Sequence, residues 1–158
     1  MKKLLIATLL LCTTFTMLGQ TKIYKGDSTF FNDLVCNVED GKVYKGDSNF
    51  RLDALFTIKD SKIYKGNFTF TKDIVVTIKD GKVYNKNSFF QGDILFNIQD
   101  NKIYRGNSIS SFDIIATIKD GRVYRERSTF RSDVLFTIDG ELTFEEFVAV
   151  WCALKYSN

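Results

Sequence analysis

Two amino-acid types are missing from this 158-residue chain, and each absence excludes a class of function or organisation. There is no histidine, so neither a Ser-His-Asp nor a Cys-His nucleophile can be assembled, and zinc or haem cannot be held by imidazole. There is also no proline, so no proline-rich linker divides the chain. Together with the length, these absences predict one domain without histidine-based catalysis.

Cysteine is scarce, and its three copies lie far apart at Cys12, Cys36 and Cys152. Lipid attachment at Cys12 is disfavoured because Leu11, rather than a small residue, precedes it. Cys36 stands in a column of the sequence repeat otherwise filled by Phe, Val and Ala, so we expect a buried and inert thiol. A Cys36–Cys152 disulfide requires the two ends of the fold to meet, so an open stack of repeats predicts two free thiols.

The first 19 residues have the composition of an export signal. Lys2 and Lys3 precede an apolar run from Leu4 to Leu18, which is too short for a transmembrane span and is followed by no stop-transfer pattern. We therefore expect cleavage after Gly19 and a secreted, periplasmic or cell-surface protein. Cleavage removes two of the 22 basic residues and none of the 19 acidic ones, so the net charge falls from +3 to +1. Such a balance argues against nucleic acid as a partner.

A 20-residue unit repeats six times without an insertion between Lys22 and Glu141. Its third copy reads KIYKGNFTFTKDIVVTIKDG, and a fixed period of this length marks a repeat architecture. With the first lysine of the unit as position 1, position 3 is always tyrosine and position 12 is always aspartate. We predict a signal peptide at 1–19, six β repeats at 20–141 and a helical segment at 142–158.

Each unit carries the patterns of two short strands joined by a tight turn. The run from Ile94 to Ile98 alternates in the manner of a half-buried strand. Asp-Gly or a close variant follows in the first five units, and these residues tolerate the positive φ of hairpin turns. Two all-β architectures fit: a six-coil β-solenoid with equivalent residues stacked about 4.8 Å apart, and an antiparallel hairpin array or propeller-like ring. The invariant unit length favours the solenoid, which is our prediction.

The residues after the last unit predict an α-helix. Thr143 and Glu146 form a capping box, and Leu142 with Phe147 forms a hydrophobic staple. Apolar residues then recur at helical spacing as far as Leu154. A stack of coils leaves open strand edges at its end, so we expect this amphipathic helix to cap the solenoid.

Two features suggest a metal site, and both have a simpler structural explanation. Glu146 lies six residues after Gly140, as in the second half of an EF-hand loop, but the first and third ligand positions are Leu135 and Thr137, which lack carboxylates. The aspartates at position 12 suggest calcium between coils, although such residues more often hold backbone groups at turns. We therefore predict no metal and no cofactor. The aspartate column is Asp33, Asp53, Asp73, Asp93, Asp113 and Asp133.

The candidate ligand-binding residues are the tyrosines at position 3, which supply stacking area and a hydroxyl next to lysine and arginine side chains. The alternative is a ladder of aromatic rings that supports the sheet. The six tyrosines are Tyr24, Tyr44, Tyr64, Tyr84, Tyr104 and Tyr124.

The repeat resembles that of secreted bacterial tandem-repeat proteins, which are built from 20-residue KIYKGxS…DILFTIxDG units and end in a helical cap. The resemblance covers residues 22 to 158 and implies a repeat fold and export, without an activity. The aromatic period is also similar to choline- and glucan-binding repeats, but those carry tryptophan pairs that the units of this chain lack.

These observations favour a non-enzymatic exported β-repeat protein that serves as a structural or adhesive binding scaffold, with a cell-surface glycan or protein as its partner. The alternative is a glycan-binding module that uses the repeated Tyr/Lys face. An enzyme is disfavoured because its acid pair would come from six equivalent aspartates, which indicate a scaffold rather than one unique site.

Overall fold

The computed structural model of the protein describes residues 19–156, so the predicted signal peptide lies almost wholly outside the described residues. These residues form twelve strands, six three-residue 3₁₀ turns and one α-helix. The strands are β1 (Thr21–Lys25), β2 (Leu34–Glu39), β3 (Lys42–Lys45), β4 (Ala54–Lys59), β5 (Lys62–Lys65), β6 (Ile74–Lys79), β7 (Lys82–Asn85), β8 (Ile94–Gln99), β9 (Lys102–Arg105), β10 (Ile114–Lys119), β11 (Arg122–Arg125) and β12 (Val134–Asp139). The helix is α1 (Phe144–Tyr156).

The strands form one closed antiparallel barrel in which each strand pairs with its neighbours in sequence and β12 pairs with β1. The prediction of a solenoid with stacked parallel coils is wrong, and the antiparallel ring that was its alternative describes the structure. The physical reason lies in the Asp-Gly steps. Asp40 and Gly41, for example, have φ of 49° and 68°, which are the two positive values that a two-residue hairpin turn requires.

Closure of the ring repeats the register of the hairpins. In the first hairpin, Glu39 lies opposite Lys42 and Val38 opposite Val43. Across the junction between the last and first units, Asp139 lies opposite Lys22 in the equivalent pairing. The six units are therefore equivalent around the ring, although only five of the junctions are linked by a turn.

Within each unit, a β-bulge in the second strand interrupts its pairing with the first strand. In the first unit Ile23 lies opposite Cys36 and Tyr24 opposite Leu34, so Val35 is the extra residue. A bulge bends a strand and increases its twist, which helps a sheet to close. The isoleucine or valine at position 2 and the residues at position 15, such as Cys36 and Phe56, belong to the interior core.

The helix occupies the interior of the barrel. Seven consecutive helix residues, from Phe147 to Ala153, are buried and belong to the same core as the inward residues of the strands. The indole ring of Trp151 contacts Phe96 of β8 and Phe136 of β12, whereas the helix backbone lies closest to β2, β3, β4 and β5. The helical capping of an open stack was therefore a wrong prediction: the ring has no open end, and a twelve-stranded barrel leaves an interior that side chains of the strands do not fill.

The predicted capping box is confirmed at the start of the helix. The backbone N–H of Thr143 donates to Glu146 Oε2 at 2.8 Å, and the backbone N–H of Glu146 donates to Thr143 Oγ1 at 3.3 Å. These bonds satisfy two of the donors that a helix N-terminus leaves unpaired. Within the described residues, no helix has the length and apolar character that crossing a membrane requires.

Candidate functional site: the outer loops

The segment between the two strands of each unit, from position 5 to position 12, forms a loop that folds back over the outer wall of the barrel. These six segments are called the outer loops. Lys22, near the start of β1, pairs with Asp47 in the second outer loop at 2.8 Å. Phe89 in the fourth outer loop contacts the ring of Tyr84. The second outer loop therefore contacts a strand of the neighbouring unit, and the fourth contacts a strand of its own unit.

Position 16 anchors each outer loop to the wall. The Asn or Thr side chain at this position donates to the carbonyl of position 5 in the next unit at 2.7–2.9 Å. One of these bonds, from Thr137 Oγ1 to the Gly26 carbonyl at 2.8 Å, crosses the junction between the last and first units. The loops are thus fixed by one repeated hydrogen bond all around the ring.

The position-12 aspartates hold the loop tips. In five units the serine hydroxyl at position 7 donates to the aspartate Oδ2 at 2.5–2.6 Å and accepts the backbone N–H of position 9. The aspartate N–H in turn donates to the position-9 carbonyl in all six units, at 2.9–3.0 Å. Only the third unit lacks the serine, because Phe68 occupies its position. These aspartates therefore do what was expected of turn residues, and no group of three or more acidic or thiol ligands lies together in the described chain.

Large apolar side chains are exposed on the outer loops of every unit. Position 9, which the bonds above hold in place, is phenylalanine in five units with 56–78% of its surface exposed, and is Ser110 in the fifth unit. All exposed large apolar side chains of the described residues fall between positions 7 and 11, and together they are called the apolar belt. The belt comprises Phe30, Phe31, Phe50, Leu52, Phe68, Phe70, Phe89, Phe90, Ile109, Phe112 and Phe130.

Cationic side chains lie over several rings of the apolar belt. The guanidinium carbon of Arg51 is 5.4 Å from the centre of the Phe68 ring, and Phe68 stacks on Phe70 with 5.6 Å between the ring centres. Lys72 Nζ lies 5.8 Å from the Phe70 ring centre on this same pair. Similar contacts hold Phe89 and Phe112. The rings are therefore presented within a mixed aromatic and basic surface.

The six predicted ligand-binding tyrosines lie beneath the outer loops rather than on the surface. Tyr24, Tyr44, Tyr64, Tyr84, Tyr104 and Tyr124 are only 7–9% exposed. Tyr124 lines a surface groove of about 520 Å³ between the last and first outer loops, together with Asp27, Arg122 and Arg131. A ligand role for the tyrosine column stays a prediction, and the structure brings Tyr124 to a groove that a ligand can enter.

The groove beside Tyr124 contains an ion cluster. Asp27 accepts hydrogen bonds from Arg122 Nε at 2.6 Å and from Arg131 Nε. The hydrogen bond from Arg122 and the second bond from Arg131 hold the pKa of Asp27 below its ordinary value. The cluster joins the last unit to the first, so its primary effect is on closure of the ring.

Both described cysteines are free and lie in the interior core. Burial raises the pKa of Cys36 and of Cys152 to about 12. Both side chains are therefore neutral thiols at physiological pH, as expected for Cys36. Free thiols were predicted for an open stack, yet they occur in a closed ring, so the thiol state does not discriminate between the two architectures.

The apolar belt was missed by reasoning from the sequence, although a signal was present. Phe30, Phe50, Phe70, Phe90 and Phe130 recur between the position-7 and position-12 residues of the loop, outside both strand patterns. Phenylalanine at a regular place in a polar loop serves no strand core and therefore indicates a displayed side chain.

The fold and the loops are consistent with a repeat protein, and the comparisons with known proteins agree. No curated protein and no solved structure matches the chain. One family model does match, over residues 23–151, and it describes a 6-fold beta flower protein. That span covers all six units apart from Lys22 and includes most of the interior helix, so the chain belongs to the 6-fold beta flower protein family.

Proposed function

We propose that this chain is a non-enzymatic exported scaffold that binds a protein partner at the cell surface through its apolar belt. The observation that carries the proposal is the exposure of large apolar side chains on all six outer loops. Large apolar side chains that are exposed together on one part of a protein surface are typical of an interaction site. The composition of residues 1–19 supports export, and an exported protein can meet a partner at the cell surface.

The equivalence of the units favours multivalent binding. Each outer loop presents at least one large apolar residue at a similar place, so six weak contacts are available around one rigid ring. Linked weak contacts raise the apparent affinity by about 10²–10⁴ when they can engage together. A non-enzymatic role is also supported by the aspartates, since in five units their carboxylates are occupied by serine hydroxyls.

The chain itself supplies a conservative variant for the test. Ser110 occupies position 9 of the fifth unit, and its backbone N–H makes the same bond to the position-7 serine at 3.0 Å. Replacement of Phe30, Phe50, Phe90 and Phe130 by serine should therefore leave the fold and its thermal unfolding nearly unchanged. Labelled wild-type protein and variants with one to four replacements would be titrated onto cells of the producing organism.

We expect one replacement to weaken cell binding modestly and all four to weaken it by roughly a hundredfold or more, because avidity depends on simultaneous contacts. Circular dichroism and the unfolding temperature serve as the folding control. Equal binding of the wild type and the quadruple variant would exclude the four replaced phenylalanines as binding contacts and would overturn multivalent binding through position 9.

A glycan partner is the second candidate, and the Phe68–Phe70 pair favours it. Two parallel, exposed aromatic rings with Arg51 and Lys72 beside them offer stacking surface and hydrogen-bond donors together. Treatment of the cells separates the two candidates: protease should abolish binding to a protein partner, whereas periodate oxidation should abolish binding to a glycan. A glycan-array screen of the mature chain would then identify the sugar.

A further inference from the structure

The helix does not fill the barrel evenly. Its backbone lies closest to β2 through β5, and a cavity of about 610 Å³ opens beside its last turns. The walls of the cavity include Ile115 of β10, Leu135 and Phe136 of β12, and the ring of Trp151 from the helix. The cavity lies at the end of the barrel where the outer loops begin, because Lys25, the last residue of β1, also lines it.

The charged groups of the cavity have one sign. Lys25 and Lys155 are its only charged lining residues, and both side chains are exposed. Neither forms an ion pair within the described chain, and Lys155 Nζ lies 6.0 Å from the centre of the Trp151 ring. A mostly apolar surface cavity with two ammonium groups that form no ion pair is complementary to a molecule with an apolar tail and an anionic head.

We propose that this cavity binds a single-chain amphiphile with a carboxylate head, such as a medium-chain fatty acid. The acyl chain lies against Trp151, Leu135 and Phe136, and the carboxylate lies near Lys25 and Lys155. The volume is within the range of about 300–1,000 Å³ that is usual for small-molecule sites, which are mostly apolar with a few polar groups. This binding site is separate from the apolar belt and does not depend on the proposed function.

Trp151 gives the site a built-in reporter. It is the only tryptophan of the chain, and its indole N–H is enclosed without a hydrogen-bond acceptor among the described residues. An unpaired buried donor is unfavourable, and a ligand that packs against this indole changes its surroundings. Binding should therefore change the fluorescence of this single residue in a saturable manner.

The test is a fluorescence titration of the chain from Gln20 to Asn158 with decanoate and dodecanoate below their critical micelle concentrations. Undecyltrimethylammonium, which has the eleven-carbon tail of dodecanoate and the opposite charge, is the matched control. We expect dodecanoate to bind at least tenfold more tightly than the ammonium compound. We also expect about fourfold tighter binding for each added methylene, as burial of that group predicts.

A double variant, K25Q/K155Q, separates the head-group contacts from the apolar walls. Both lysines are exposed, so the variant should fold, which circular dichroism checks. Dodecanoate should lose at least tenfold in affinity to this variant, whereas dodecanol should bind equally to the variant and the wild type. The proposal is overturned by an absence of saturable binding, by equal binding of the anionic and cationic compounds, or by unchanged dodecanoate affinity in the double variant.

Discussion

Neighbouring units meet in two ways in this ring, and the two kinds of junction differ in what holds them together. Five junctions are hairpins, in which a two-residue turn links the strands covalently and sets their register. The sixth joins β12 to β1 with the same register and no turn. The chain instead leaves the wall there through Gly140 and enters the interior as the helix. This sixth junction is called the closure seam.

The closure seam has contacts that replace the missing turn. Thr21 Oγ1 donates to the carbonyl of Glu141 at 2.7 Å, which ties the start of β1 to the chain that leaves β12. The carboxylate of Asp27 accepts hydrogen bonds from two arginines there. At the next junction, Asp47 pairs with Lys22 alone within the described chain. The difference teaches that backbone pairing and the position-16 hydrogen bond repeat at every junction. Additional side-chain contacts secure the one junction that has no turn.

The largest expected effect comes from the helix, because it links the closure seam to the interior. Val148 is fully buried, so V148D places an unpaired charge in the core and should cost more than about 4 kcal/mol, enough to prevent folding. V148A should cost about 2 kcal/mol through a cavity. Urea unfolding followed by circular dichroism measures both values.

The milder variant also tests the comparison directly. In V148A, hydrogen exchange should accelerate more at the paired amides of Tyr24 and Thr137 in the closure seam than at those of Asn37 and Tyr44 in the first hairpin. The reason is that the seam opens without breaking a turn. Uniform acceleration at both places would show that the seam is no weaker than a hairpin.

A smaller effect is expected from alanine at Gly140. This residue has φ of 126°, and a Cβ atom there would lie 2.6 Å from Thr21 Oγ1 and 3.2 Å from its Cα. Strain and the displacement of β1 should together cost about 2–3 kcal/mol. The matched control is G41A in a hairpin turn, where φ is 68° and the nearest atom, the Ile58 carbonyl oxygen, lies 3.5 Å away. It should cost only about 1 kcal/mol. Equal losses in urea unfolding would contradict a special role for Gly140.

The smallest expected effect is that of D27N, which weakens the ion cluster of the closure seam. The pKa of Asp27 is lowered in the folded protein, so its carboxylate contributes stability above its unfolded pKa of about 4. That contribution is lost as the pH falls through the folded pKa. D27N should therefore lower the unfolding temperature at pH 7 more than D47N does, and the difference between wild type and D27N should shrink on acidification. A difference that persists at pH 2 would point to packing rather than charge.

Much of the fold was available from the sequence. The six units, the strands and the capping box at Thr143 and Glu146 all follow from short-range chemistry. Asp40 and Gly41 also indicated hairpins correctly, because a turn needs only two residues in special conformations. The fixed unit length led to the wrong prediction of a solenoid, since a closed ring of identical hairpins needs equal units just as a stack of coils does.

The position of the helix was harder to predict, yet one signal pointed to it. Residues from Phe147 to Leu154 are all apolar, and a helix that is apolar on every side is a buried helix. A cap on a stack would keep one polar face. The cavity beside Trp151 could not be predicted at all, because it depends on where the helix lies across the barrel, and that position is set by packing of many side chains.

Closure of the ring also fixes how many units the chain can have. A solenoid can gain or lose whole coils with little change elsewhere, so the number of its repeat units can vary during evolution. Here one unit more or less adds or removes two strands, which changes the circumference by about 10 Å around a helix that is itself about 10–12 Å wide. A gene easily gains or loses tandem units as similar as these. A barrel with more or fewer than six units, however, would no longer match the width of the helix inside it.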